Sequence, residues 1–391
     1  MRLTKVFNEF FKSEKSGVLL IVCTIISLLL ANSSFGETYL HFWHFDFAGL
    51  SIEHWINEGL MAIFFFQIGL ELKREIIVGE LSSVKNAMLP VFAAIGGMLI
   101  PAAIYAFFNY GTITQSGAGI PMATDIAFAI GVLSLLGNKV PASLKIFLTA
   151  IAVIDDLGAI LVIAVFYTTS LSLINLLIVL LIFGVLLFLN RLKINYLAIY
   201  ITGGIIMWYF MLHSGVHSTL AGILLAFAIP FGKGEKTSLS YRLEHWLHKP
   251  VSFIILPLFA FANTAIVFGN GWATGLSEPG STGIFAGLII GKPLGVFLFS
   301  FITVLIGAGT LPKGLKWKQV LGVGFLAGIG FTMSIFITLL AYNDDTLITE
   351  SKISILIASL ISGILGYTWL HYSLKSPVIK MKKIDKKLFI Q

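Results

Sequence analysis

Two adjacent carboxylates, Asp155 and Asp156, stand near the middle of Phe147 to Tyr167, FLTAIAVIDDLGAILVIAVFY, and are the only charges in that stretch. A stretch of this length crosses a bilayer as a helix. One Asp at such depth costs on the order of 2.5–3.5 kcal/mol by insertion scales. Two neighbours cost more, because like charges repel at close range. A penalty of that size implies a use, so the pair is read as the functional centre. Carboxylate oxygens suit hard cations, and desolvated carboxylates also take up protons. Helical neighbours sit about 100° apart, so one Asp can look into a cavity while the other meets a partner.

Other ionisable or polar groups interrupt apolar runs. In GIPMATDIAFAIGVLSLL, Pro121 and Thr124-Asp125 stand where unbroken apolar sequence is expected. Pro removes a backbone donor, and freed backbone at membrane depth survives only under protein or beside a wet cavity. The pattern predicts an interrupted helix with Asp125 at its break; a plain N-cap is the alternative. Lys292, followed by Pro293, lies deep in GIFAGLIIGKPLGVFLFSFITVLI and must be neutral or paired with a carboxylate. VLGVGFLAGIGFTMSIFITLL, with Gly322, Gly324, Gly328 and Gly330 before Thr332 and Ser334, is a second candidate for interruption.

Further charges gather at span ends. Glu71, Lys73, Arg74 and Glu75 form a knot, either a solvated helix end with i,i+3 and i,i+4 pairs or a regulatory element. Glu244, His245 and His248 read as a solvated amphipathic end or as a proton-sensing cluster, and they are too few and too divergent for zinc. His217, a lone His near the external face, is of a kind more often structural than functional, and Glu58 lies near the outer end of its span.

The elements that must position these groups follow from composition. The 391 residues are 57% hydrophobic and 12% charged, with mean hydropathy +0.94, which excludes a soluble globular chain. The fold class expected is an all-α polytopic membrane protein of about twelve spans, forming one integral domain over 1–391. The apolar runs are 17–33, 55–72, 86–108, 119–136, 146–167, 171–189, 195–212, 217–230, 251–268, 283–306, 319–340 and 353–372. Lys and Arg fall almost entirely into alternate connections and the two ends, with Lys352 the exception, which places both termini in the cytoplasm. The net charge of +7 follows from that topology, not from a nucleic-acid partner. The first run resembles a signal peptide, yet retaining it keeps the charge alternation in register. Cys23, the sole cysteine, reads as an inert buried thiol. Residues 37–52, aromatic and partly alternating with a turn at Ala48-Gly49, read as a surface hairpin or an aromatic belt. Spans three to five and ten to twelve each have a broken middle member and run oppositely, which suggests inverted repeats over 86–167 and 283–372 with a site at their breaks.

These residues resemble the NhaA-type sodium/proton antiporters. The likeness rests on Thr124-Asp125-Ile-Ala-Phe-Ala, Ile154-Asp155-Asp156-Leu-Gly, Gly291-Lys292-Pro-Leu-Gly and Gly328-Ile-Gly-Phe-Thr-Met-Ser334. Ser214-Gly-Val-His217, Arg242-Leu-Glu-His245 and Leu256-Pro-Leu-Phe-Ala-Phe-Ala-Asn263 extend it over nearly the whole chain. The rule linking inverted repeats to midplane sites was itself drawn in part from this family, so the two lines share a source. The resemblance implies crossed, broken fourth and eleventh helices and a homodimer joined partly through an external hairpin. It implies an electrogenic, pH-regulated exchange of Na⁺ or Li⁺ for H⁺ by alternating access across a bacterial inner membrane, with lipid around the chain and no cofactor. It assigns cation and proton binding to Asp155 and Asp156, support at the breaks to Thr124, Asp125 and Lys292, and pairing of Lys292 with Asp155. It assigns pH response to Glu71, Arg74, Glu75, His217, Glu244, His245 and His248. Glu58 departs from the Asp usual in the family. An enzyme of the intramembrane aspartyl protease kind would need a Gly-x-Gly-Asp run, and none precedes these aspartates. An organic-solute transporter is the stronger rival.

Overall fold

A computed structural model describes residues 16–374 apart from 169–170, 233, 270–271 and 313. The basic residues of both ends (Arg2 to Lys15, and Lys375 onward), with Lys233 and Lys313, lie outside the described residues. The chain opens with α1 (Ser16–Ala31) and α2 (Gly36–Trp43), bent 118° apart. A hairpin follows, β1 (Asp46–Phe47) with β2 (Leu50–Ser51), whose turn places Ala48 and Gly49 at φ 53° and 87°. The hairpin and its turn at Ala48-Gly49 are as the sequence suggests, but they are confined to 46–51. Residues 37–43 are helical instead, with Tyr39 and Trp43 one turn apart, edge-on to each other and to Phe261.

Then come α3 (Met61–Ile77), α4 (Val84–Asn109), a 3₁₀ run Gln115–Met122 leading into α5 (Ile126–Ser134), and α6 (Ala142–Phe166). The second half holds α7 (Leu173–Arg191), α8 (Leu197–Leu212), α9 (Leu220–Ala228), α10 (Leu239–Pro250) and α11 (Leu256–Asn263). It closes with α12 (Pro279–Phe285), α13 (Lys292–Leu305), α14 (Trp317–Ala327), α15 (Phe331–Ala341) and α16 (Asp345–Ser373). Single π-helical turns, Trp55–Leu60, Val251–Ile255 and Ala286–Gly291, lead into α3, α11 and α13. Among the described residues six helices are long and apolar enough to cross a membrane, or eight if each bent pair counts as one span.

Packing concentrates where small residues let backbones touch, as expected where apolar solvent gives helices no hydrophobic reason to associate. Along α4 and α13, Gly96 and Gly295 face each other so closely that a Cβ on either would strike the other's carbonyl oxygen. A Cβ at Gly222 of α9 would likewise strike the Ala62 carbonyl of α3. The Gly96–Gly295 contact lies one turn from Lys292, whose amine reaches the helix break at Met122.

Two spans are interrupted. Between the 3₁₀ run and α5, Ala123 to Asp125 are extended or unwound. Between α14 and α15 the chain bends 48° at Gly328 to Gly330. The two breaks are in contact: the Asp125 N–H donates to Ile329 O at 2.7 Å.

Candidate cation and proton site

Each interruption exposes helix ends that need partners, amide donors at the N-terminal ends and carbonyls at the C-terminal ends. Asp125 serves two starts at once. Its Oδ1 accepts from Phe128 N of α5 at 2.9 Å, while its Oδ2 accepts from Thr332 Oγ1 and Thr332 N of α15 at 2.5 and 3.2 Å. It is therefore both an N-cap and a charge set against two helix N-termini. At the opposite ends, Lys292 Nζ donates to Met122 O, the last carbonyl of the 3₁₀ run. Thr124 Oγ1 lies 2.8 Å from Ala327 O, the last residue of α14, and 2.8 Å from Asp155 Oδ2; its one proton serves either.

The carboxylates of α6 diverge as their 100° separation requires. Asp155 points to the breaks, where Lys292 Nζ meets its Oδ2 at 2.7 Å with both side chains fully buried. Asp156, also buried, points away into a cavity of about 120 Å³. Asp155 Oδ1 and Asp156 Oδ1 are buried without a hydrogen-bond partner among the described residues. Unsatisfied anionic oxygens at such depth call for a cation or a proton.

The cavity is walled by periodic faces. From α3 come Phe64, Gln67, Ile68 and Glu71, and from α6 come Thr149, Val153 and Asp156. Both sets follow the three- and four-residue spacing of one helix face. His248 of α10 stands at its edge, with Gln67 Nε2 3.4 Å from its Nδ1.

Beyond the cavity lies the charged knot. Its partner is another helix rather than the i,i+3 and i,i+4 pairs expected: Arg74 Nε binds Glu244 Oε1 at 2.7 Å, and Arg74 Nη1 binds Glu75 at 2.8 Å. Burial pushes the Glu244 carboxyl above its ordinary range, against the pull of Arg74. Lys73 is buried and caps the end of α9, donating to Ala226, Phe227 and Ile229 carbonyls at 3.3, 2.8 and 2.5 Å. His245 is exposed and stacked on Tyr241. His217 is distant from the charged knot. Its Nδ1 lies 3.5 Å from Glu58, which accepts from Ser218 Oγ at 2.5 Å. Glu58 and Glu71 are thirteen residues apart along one helical run, about 20 Å.

Thr332, Gln67 and Ser218 were not singled out from sequence as site residues. Gln67 carried a signal nonetheless, being the one hydrogen-bonding side chain between Met61 and Leu70.

Fold and site together define a polytopic helical membrane protein whose ionisable groups gather at two touching helix breaks. The family profile described as Na⁺/H⁺ antiporter 1 matches residues 8–370. The chain is 64% identical over 383 residues to the Na⁺/H⁺ antiporter NhaA of Flavobacterium psychrophilum, covering 98% of this chain and 100% of that one. Identity is 57% over 379 residues with the NhaA of Cytophaga hutchinsonii, covering 97% and 98% of the two chains. With the NhaA of Citrobacter koseri it is 46% over 388 residues, covering 96% and 100%. The chain belongs to the Na⁺/H⁺ antiporter 1 family.

Proposed function

We propose that the chain exchanges Na⁺ or Li⁺ for protons, with Asp155 and Asp156 as the shared site. The observation that carries this reading is the pair's geometry: two buried carboxylates, each with an oxygen lacking a donor among the described residues, one beside Lys292 and one lining a cavity. Carboxylate oxygens and the Thr124 hydroxyl offer hard-cation ligands, and the same carboxylates take protons. One site alternately open to either side then couples the two cargoes by competition alone. Two protons per Na⁺ move one net charge, worth about 2.3 kcal/mol per 100 mV, so the membrane potential drives Na⁺ outward.

Alternating access fits inverted repeats over 86–167 and 283–372, crossed at the fourth and eleventh spans, with Thr124, Asp125 and Lys292 supporting the breaks. Counting Met61–Ile77, Leu197–Leu212, Leu220–Ala228 and the run 251–263 with the spans above gives twelve. Alternate basic loops support cytoplasmic termini in a bacterial inner membrane, and the β1–β2 hairpin is the proposed seat of a homodimer. Glu71 and His248, which line the cavity, and the Arg74, Glu75 and Glu244 group are proposed to set its pH response, with His217 and the exposed His245 contributing less directly.

The test is proton flux in everted vesicles, adding Na⁺, Li⁺ or K⁺ over a pH series. Loading Na⁺ needs deprotonated carboxylates, so the KM for Na⁺ should fall as pH rises, and Asp156→Asn should abolish exchange in a folded protein. Retained Na⁺/H⁺ exchange in that variant would overturn the site, and silence of the native chain at every pH would point to an organic solute.

A further inference from the structure

Gln67 is 7% exposed, and its carbonyl oxygen is buried without a hydrogen-bond partner among the described residues. It lies one helical turn from Glu71 on the same face of α3, and both line the cavity that ends at Asp156. Its amide nitrogen lies 3.4 Å from the Nδ1 of His248, which lines the same cavity. Donation to the ring nitrogen commits the amide nitrogen to His248 and leaves the oxygen as the unengaged group of a side chain that lines the cavity. A buried amide oxygen left without a donor costs stability, about 1–3 kcal/mol for such a group, unless something in the working cycle meets it.

We propose that the Gln67 carbonyl oxygen is a neutral contact for the cation on its way between the Glu71 mouth and Asp156, and that His248 is the positioning residue that fixes the amide in this sense. The inference rests on the reading of Asp156 as the cation site. A neutral oxygen suits a passing station: it replaces one water of the hydrated ion without adding a third charge to a cavity that already holds two carboxylates. It favours entry without trapping the ion short of the site.

Gln67→Met keeps length and volume while removing both amide atoms. In everted vesicles, where added Na⁺ meets the cavity side, KM for Na⁺ should rise about tenfold, the loss of one oxygen contact. Saturated turnover should stay within about twofold, because the contact is not made in the occupied site. From the other face, in right-side-out vesicles, KM should not move. At one fixed alkaline pH, apart from its proposed part in the pH response, His248→Phe should raise KM in the native background and add nothing to Gln67→Met, since there it acts through the amide. An unchanged KM in folded Gln67→Met overturns the proposal. So does a lowered KM, which would mean that the amide nitrogen, not the oxygen, faces the cavity. Additive effects of the two substitutions would overturn the role of His248. Asp156→Asn, run in parallel, separates the two levels: if it still exchanges, the site reading fails, and if it is silent while Gln67→Met is normal, only the present inference fails.

Discussion

Removing the Lys292 ammonium should be more costly than removing any other single charge of the site, and the cost should depend on Asp155. Lys292 Nζ supplies Asp155 Oδ2 at 2.7 Å and also satisfies Met122 O, with both side chains fully excluded from solvent. In Lys292→Met the side-chain volume is nearly kept, so the change is mainly electrostatic. Asp155 is left with the shared Thr124 proton as its one donor among the described residues, and its Oδ1 already has none. Stranding one partner of a buried pair costs about 3–5 kcal/mol. That corresponds to roughly two to four decades in the folded-to-unfolded ratio. Replacing both partners leaves no stranded charge, so Asp155→Asn/Lys292→Met should recover much of the loss, with a coupling of about 1–3 kcal/mol. Protonating Asp155 should likewise relieve the single variant, so its deficit should shrink as pH falls. The assay is thermal survival of the folded monodisperse protein in detergent, over a pH series, for the native chain, both single variants and the double. Equal losses from Lys292→Met in the native and Asp155→Asn backgrounds would refute the pairing.

Thr332→Val should destabilise by about 1–3 kcal/mol, because Asp125 loses its hydroxyl donor while the α15 start keeps only the longer amide contact; an unchanged melting midpoint in detergent would count against the shared cap. Gly295→Ala should cost about 1–3 kcal/mol by overpacking and lower the exchange rate, since the new Cβ strikes the Gly96 carbonyl one turn from Lys292. Native thermal stability with native flux in that variant would show that α4 and α13 separate without consequence.

Much of this was legible in the chain because membrane depth makes errors expensive. Pro121 with Thr124-Asp125, and the Gly328 to Gly330 run, marked the two interruptions, since apolar spans do not break without cause. What the breaks touch was not legible. That Asp125 caps two helices, one of them more than two hundred residues away, depends on tertiary contact that no local pattern encodes. The knot at Arg74 was read within its own helix, whereas its main partner, Glu244, lies on α10. The π-turns before α3, α11 and α13 left no sign in composition or period. Residues 37–52 alternate only in part: the strand pairing is confined to 46–51, and over 37–43 the i,i+4 packing of Tyr39 on Trp43 accompanies a helix.

The charges at the breaks also account for how one site can carry two cargoes of different charge. Helix ends bear about half a unit each. The N-terminal ends of α5 and α15 meet the one negative charge of Asp125, and these balance. The C-terminal end of the 3₁₀ run meets Lys292 directly and that of α14 meets the neutral Thr124 hydroxyl; summed over the cluster, the one positive charge of Lys292 balances the two half charges. What remains is the two carboxylates of α6. On the proposed exchange, two protons make the site neutral, while one Na⁺ leaves about one negative charge. The proton-loaded site then reorients without regard to voltage, and the Na⁺-loaded site is the form the potential acts upon. The same vesicles with their potential clamped by K⁺ and an ionophore distinguish this. At limiting Na⁺ gradients the exchange rate should follow the clamped potential, and a rate indifferent to it would mean that the helix ends do not cancel Asp125 and Lys292 as their contacts imply.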